Sequence, residues 1–115
     1  MTAAKNVREA LDAIARAVAL TSLTLRQAVA SRTAAKKALA VEVARYQSEH
    51  GLEAYDHYPT YVQTSADDGY EIRDAACDAA IAAVKGTNKA IAAARGKWRH
   101  ATNRYAAAIA AQESP

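Results

Sequence analysis

No glycine or proline occurs between Thr2 and Glu49, so nothing in this stretch forces the backbone to turn. The first interruption is Gly51, which has the position of a left-handed helix cap, with Leu52 as the apolar residue that often follows such a cap. This uninterrupted stretch predicts one long α-helix over about residues 2–50.

A tyrosine-rich segment follows, and it contains the helix-breaking Pro59. We expect a structured turn over about residues 51–64. Its tyrosines recur at three-residue spacing: Tyr55, Tyr58 and Tyr61. Tyr is common at recognition surfaces because it offers a large rigid area with a polar tip. These rings therefore form either a partner-binding site or a cap that folds back over the end of the helices.

The second helical segment starts with a capping-box pattern, Ser65 followed by Asp68 three residues later. From Tyr70 onward only Gly86 and Gly96 interrupt the segment, and the pattern predicts a helix over about 65–112. The length of the chain allows a single domain, residues 1–115.

Alanine accounts for 32 of the 115 residues, and phenylalanine is absent. Alanine has the highest intrinsic helix propensity, so the composition predicts an all-α fold and argues against a β fold. Because alanine buries little apolar area, we expect thin helix-on-helix packing rather than a thick core.

Bulky residues recur every seven positions in both segments, which is the spacing of a helix–helix seam. These rows predict a coiled-coil-like hairpin of two antiparallel helices. The seam residues are Leu11, Val18, Leu25 and Leu39 in the first helix and Cys77, Val84, Ile91, Trp98 and Tyr105 in the second. Pairing residues whose numbers sum to 116 places Leu39 opposite Cys77 and leaves Arg32 opposite Val84 as the one poor pair.

Several large apolar residues fall partly off this seam: Leu20, Leu23, Val41, Ile72 and Ile109. Two long helices alone are marginally stable when apolar flanks stay exposed. We therefore expect a second interface, formed by self-association or by docking into a larger assembly.

Catalytic and metal-binding patterns are absent from the sequence. Cys77 lies on the apolar row, where a thiol packs as an inert hydrophobe, and no phosphate loop, nucleophile elbow or paired His/Cys/Ser signature occurs. His50 and His57 would share a helix face with Glu53 only if the helix continued through Gly51. We expect no enzyme activity, no cofactor and no metal.

The net charge of +3 is mildly basic. The predicted hairpin brings one group of basic residues together near its middle: Arg26, Arg32, Lys36, Lys85 and Lys89. Such a patch could contact the phosphates of a nucleic acid or an acidic protein surface, and it is equally typical of the solvated face of an exposed helix.

Targeting signals are also absent. No apolar run approaches the roughly 18–20 residues that span a bilayer, and Glu9, Asp12 and Arg16 interrupt the start of the chain. A membrane partner is not expected. We expect a protein that is not secreted by a signal peptide and that resides in the cytoplasm or within a particle.

These features favour a non-catalytic structural or assembly protein that acts through helix–helix contacts. Small alanine-rich chains are common among phage virion and scaffold components, which is an association rather than a physical argument. Two alternatives stay open: a small basic nucleic-acid-associated or regulatory protein, and a host-protein inhibitor that docks through the tyrosine-rich turn.

Overall fold

The computed structural model describes residues 2–51 and 74–113, with side chains from Lys5 onward. Within these ranges the chain forms two α-helices, α1 over Thr2–Glu49 and α2 over Ala75–Glu113, and no strand. The predicted all-α class is therefore confirmed. Apart from Gly51, the turn predicted over 51–64 lies outside the described residues.

The chain divides into two compact units, each of which contains part of both helices. The central unit is Ser31–Asn88, and the terminal unit combines Met1–Ala30 with Lys89–Pro115. In the terminal unit the first part of α1 is paired with the last part of α2, so the two helices are antiparallel. This confirms the predicted helical hairpin.

The helix α1 ends at a glycine in the left-handed conformation, as the sequence predicts. Gly51 has a φ of 65°. This backbone conformation is unfavourable for an L-residue that carries a Cβ atom, and glycine adopts it readily. Its N–H donates to the Ser48 carbonyl at 3.4 Å, and the His50 N–H donates to the Tyr46 carbonyl at 3.1 Å. The cap thus satisfies carbonyls that the end of a helix leaves without partners.

The helix α2 begins at an aspartate cap. The Cys77 N–H donates to Asp74 Oδ1 at 3.0 Å, which makes Asp74 the N-cap residue. α2 therefore begins at Ala75. The predicted capping box at 65–68 lies outside the described residues.

The core of the central unit is built around Cys77 and Tyr46, which are 0% and 5% exposed. Val43 and Ile81 pack against this pair. The Cys77 thiol donates to the backbone carbonyl of Glu42 on the other helix, with an Sγ···O distance of 3.4 Å. A side chain as small as cysteine lets the two helices approach closely at this point.

These contacts correct the predicted register. Cys77 contacts Glu42 and Asp74 contacts Arg45, and both pairs of residue numbers sum to 119 instead of 116. The predicted pairing of Leu39 with Cys77 is therefore wrong by about one helical turn. In the observed register of this unit, Leu39 lies opposite Ala80, so a bulky residue faces a small one. This arrangement fills the interface better than bulky residues set against each other.

The terminal unit has a thin core rich in alanine. Its buried side chains are Ile91, Ala94 and Ala101. Leu11 and Ala108, whose numbers also sum to 119, line one shared groove. The same register places Leu25 opposite Ala94, which is 5% exposed. Buried alanines at these positions allow the helix backbones to come close together.

Threonines on the packed faces satisfy their hydroxyl groups within their own helix. Thr21 Oγ1 donates to the Ala17 carbonyl and Thr87 Oγ1 to the Val84 carbonyl, each at 2.7 Å. No buried side-chain nitrogen or oxygen of the described residues is left without a partner. Polar residues are therefore tolerated in this thin interface without a desolvation penalty.

Candidate interaction surfaces

The predicted seam residues differ in their exposure to solvent. Cys77 and Ile91 are buried. The half-buried members are Leu11, Val18, Leu25, Leu39, Val84 and Trp98. Tyr105 is 37% exposed, more than the other predicted seam residues.

One cation in the central unit is fully engaged by carboxylates. Arg45 donates to Glu42 at 2.8 Å and Glu49 at 2.8 Å on its own helix, and to Asp74 at 2.7 Å on α2. The hydrogen bond from Arg45, together with the backbone N–H of Cys77, lowers the pKa of Asp74 to about 2. The bonds to Asp74, Glu42 and Glu49 raise the pKa of Arg45. This cluster joins the end of α1 to the start of α2.

The thiol of Cys77, beside this cluster, has low reactivity. Burial raises the pKa of the Cys77 thiol, and the neighbouring Asp74 carboxylate raises it further. A buried, protonated thiol is a weak nucleophile at neutral pH. The site therefore serves packing better than covalent chemistry.

Large apolar side chains are exposed on α1. Leu20 is 57% exposed, Leu23 is 50% exposed and Val41 is 67% exposed, so these three predicted off-seam residues do face solvent. Ile109 is half-buried, and Ile72 lies outside the described residues. Leu20 and Leu23 are three residues apart and so share one side of α1 in the terminal unit.

An apolar groove of about 370 Å³ lies in the terminal unit. It is lined by Val7, Ala10, Leu11, Ile14, Ala108, Ala111 and Gln112. Val7 on its edge is 47% exposed. The groove marks the part of the unit where the small side chains of α2 fail to fill the space between the helices.

The predicted basic patch is divided between the two units. Arg26 and Lys89 belong to the terminal unit, whereas Arg32, Lys36 and Lys85 belong to the central unit. All are exposed except Arg32, which is half-buried on the packed face. No salt bridge involves these five residues within the described part of the chain.

A larger basic group emerges when the acidic residues are considered as well. No Asp or Glu occurs between Asp12 and Glu42 in α1, or between Asp78 and Glu113 in α2. In the terminal unit this leaves one set of exposed cations on α2: Lys89, Arg95, Lys97, Arg99 and Arg104. The sequence signal that identifies them is the absence of neighbouring carboxylates rather than the density of Lys and Arg.

The described residues were also compared with the requirements of a metal site and of a membrane span. Residues 5–51 and 74–113 contain no cluster of three or more His, Cys, Asp or Glu side chains able to hold a metal ion. Neither α1 nor α2 contains an apolar stretch sufficient to cross a bilayer. Tyr55, Tyr58, Tyr61 and His57 lie outside the described residues.

Comparison with known proteins finds no matching family model, no matching curated protein and no matching solved structure.

Proposed function

We propose that this chain is a non-catalytic assembly protein that self-associates through the exposed leucine face of α1. The observation that carries the proposal is the pair Leu20 and Leu23, 57% and 50% exposed on one side of a helix. Only five side chains of the described residues are buried, and two of these are alanines. Because this chain buries so few side chains, covering two leucines would add a larger share to its total buried apolar area than it would in a well-packed domain.

A second copy of α1 is the partner that suits this face. The segment Ala17–Leu25 around the leucines is uncharged, and it is flanked by Arg16 and Arg26. In an antiparallel contact centred between Leu20 and Leu23, Arg16 of one copy lies near Gln27 of the other. The leucines of both copies are then buried together, and no like charges are brought face to face.

A virion or scaffold role is a narrower proposal of the same kind. Such a component must pack against copies of itself or against other helical subunits, and the leucine face would supply that contact. The narrower proposal therefore requires the self-association to occur.

The mass in solution tests this proposal. Light scattering coupled to size-exclusion chromatography, repeated over a wide range of protein concentration, is expected to show an oligomer that dissociates on dilution. Leu20→Glu combined with Leu23→Glu should yield a monomer, because burying two carboxylates at the contact is costly.

The matched control adds the same charge elsewhere on α1. Ala40→Glu combined with Ala44→Glu changes two exposed residues of the central unit without removing a large apolar side chain. This variant should retain the wild-type mass, and circular dichroism should show unchanged helix content in both variants. A wild-type protein that stays monomeric at the highest concentration contradicts the proposal, as does an equal effect of the two variants.

A further inference from the structure

Between Lys89 and Gln112, every charged residue of α2 is a Lys or an Arg. Arg95, Arg99 and Arg104 are exposed there, together with Lys89 and Lys97. No carboxylate occurs in α2 between Asp78 and Glu113. The part of α1 in the same unit has its only acidic residues at Glu9 and Asp12, near its start.

These cations differ from Arg45 in their surroundings. Arg45 is engaged by three carboxylates at 2.7–2.8 Å. Within the described residues, by contrast, the side chains of Arg95, Lys97, Arg99 and Arg104 form no salt bridge and no hydrogen bond. The carboxylates of the central unit thus neutralise Arg45. The four cations of α2 in the terminal unit stay available to an external anion.

Helical spacing arranges the α2 cations in two rows. Arg95 and Arg99 are four residues apart and share one side of the helix, while Lys97 and Arg104 are seven apart and share the other. Ile91, Ala94 and Ala101 are buried and fix which face of α2 points inward. The two rows therefore flank the outward face.

A third row lies between the two cationic rows and is open at Gly96. It is formed by every seventh residue: Lys89, Gly96 and Asn103, all exposed. A Cβ added at Gly96 would have no heavy atom within 4 Å, so the space in front of the helix is open. A ligand can approach the backbone of α2 closely at this point.

We propose that this face of α2 binds duplex DNA by lying in the major groove. The groove of B-form DNA is about 12 Å wide and admits one α-helix. Its two walls are phosphate backbones, which the row of Arg95 and Arg99 and the row of Lys97 and Arg104 would contact separately. Asn103 and His100, both exposed, lie toward the floor of the groove and supply hydrogen-bonding groups for base edges.

Duplex DNA fits this surface better than other polyanions. The major groove of an RNA duplex is too deep and narrow to admit side chains of a helix. A single acidic helix would present one stripe of carboxylates, whereas the cations here lie on two opposite flanks. The surface is on α2 and does not depend on association through the leucines of α1.

Salt dependence of binding is the first test. Fluorescence anisotropy with the full chain and a labelled DNA duplex of mixed sequence should show binding that weakens steeply as salt is added. Four phosphate contacts, two from each row, predict a slope of about −3.6 in log affinity against log salt concentration. An RNA duplex of the same sequence should bind at least roughly tenfold more weakly.

A pair of glycine variants tests the placement of the surface. Gly96→Glu puts a carboxylate between the two cationic rows, and Gly86→Glu adds the same charge to the same helix in the central unit. Neither position has a heavy atom within 4 Å of the added Cβ, and glutamate is a better helix former than glycine. Gly96→Glu should weaken DNA binding at least roughly tenfold, with a much smaller effect of Gly86→Glu.

Charge reversal tests the contacts themselves. Arg95→Glu with Arg99→Glu should reduce the salt slope by about two. The control Lys5→Glu with Arg8→Glu changes the net charge equally at exposed positions beside Glu9. Absence of DNA binding at low salt overturns the proposal. Equal losses in the paired variants, or equally tight binding of the RNA duplex, also overturn it.

Discussion

Arg45 Nη2 donates a 2.7 Å hydrogen bond to Asp74 Oδ1, and the same carboxylate oxygen accepts the N–H of Cys77. One oxygen thus joins the two helices and caps the N-terminus of α2. A negative charge at this position also interacts favourably with the helix dipole. Asp74 therefore links where α2 begins to how it is aligned with α1.

The first prediction concerns acid stability. The pKa of Asp74 is lowered from 3.8 to about 2 in the folded chain, so its ionised form stabilises the fold above about pH 4. This contribution is lost as the pH falls through about 2. Asp74→Asn should lower the melting temperature at neutral pH and flatten its dependence on pH between about 4 and 2, as measured by circular dichroism.

A double-mutant cycle provides the control for this prediction. Arg45→Gln should produce a similar loss, and the double variant should lose less than the sum of the single losses at neutral pH. The coupling should disappear near pH 2, where Asp74 becomes protonated. Additive losses at neutral pH would mean that the ion pair does not stabilise the hairpin.

The second prediction compares two glycines. Gly51 has a φ of 65°, so Gly51→Ala should destabilise the chain by about 1 kcal/mol. Gly86 lies inside α2 with open space around it, so Gly86→Ala should stabilise the chain by about 0.5–1 kcal/mol. Urea unfolding followed by circular dichroism measures both effects. Shifts of the same sign would contradict the assigned cap.

The third prediction tests the close approach of the helices. Ala94 and Ala101 are buried in the terminal unit, and enlarging either to Leu should cost about 1–3 kcal/mol through overpacking. Ala92→Leu is the matched control, because Ala92 is exposed on the same helix. It should change the free energy of unfolding by less than about 0.5 kcal/mol. Equal effects in the three variants would show that the alanines do not set the helix spacing.

The fourth prediction concerns the reactivity of the single cysteine. Cys77 is 0% exposed and its thiol pKa is raised by burial, so it should react with a thiol reagent far more slowly than a free cysteine. In urea the reaction should accelerate in step with the loss of helix. A colour-forming thiol reagent measures the rate of this reaction. Fast labelling of the native chain would contradict the packing of the central unit.

The heptad rows predicted which residues pack but could not decide the register. Facing residues can be paired so that their numbers sum to 116 or to 119, and both registers bring the same faces of the two helices together. The register of 116 sets the bulky rows of the two helices opposite each other. The observed contacts of Cys77 with Glu42 and of Asp74 with Arg45 select the register of 119.

Local signals in the sequence determined the all-α class, the glycine cap of α1 and the faces that pack, because helix propensity and seven-residue spacing depend only on near neighbours. Tertiary structure decided where α2 begins and how the helices are aligned. Those features depend on a carboxylate of one helix meeting a guanidinium of the other, and on bulky side chains finding alanines opposite them. Such pairings join residues distant in sequence, as Arg45 and Asp74 are, and no local pattern encodes them.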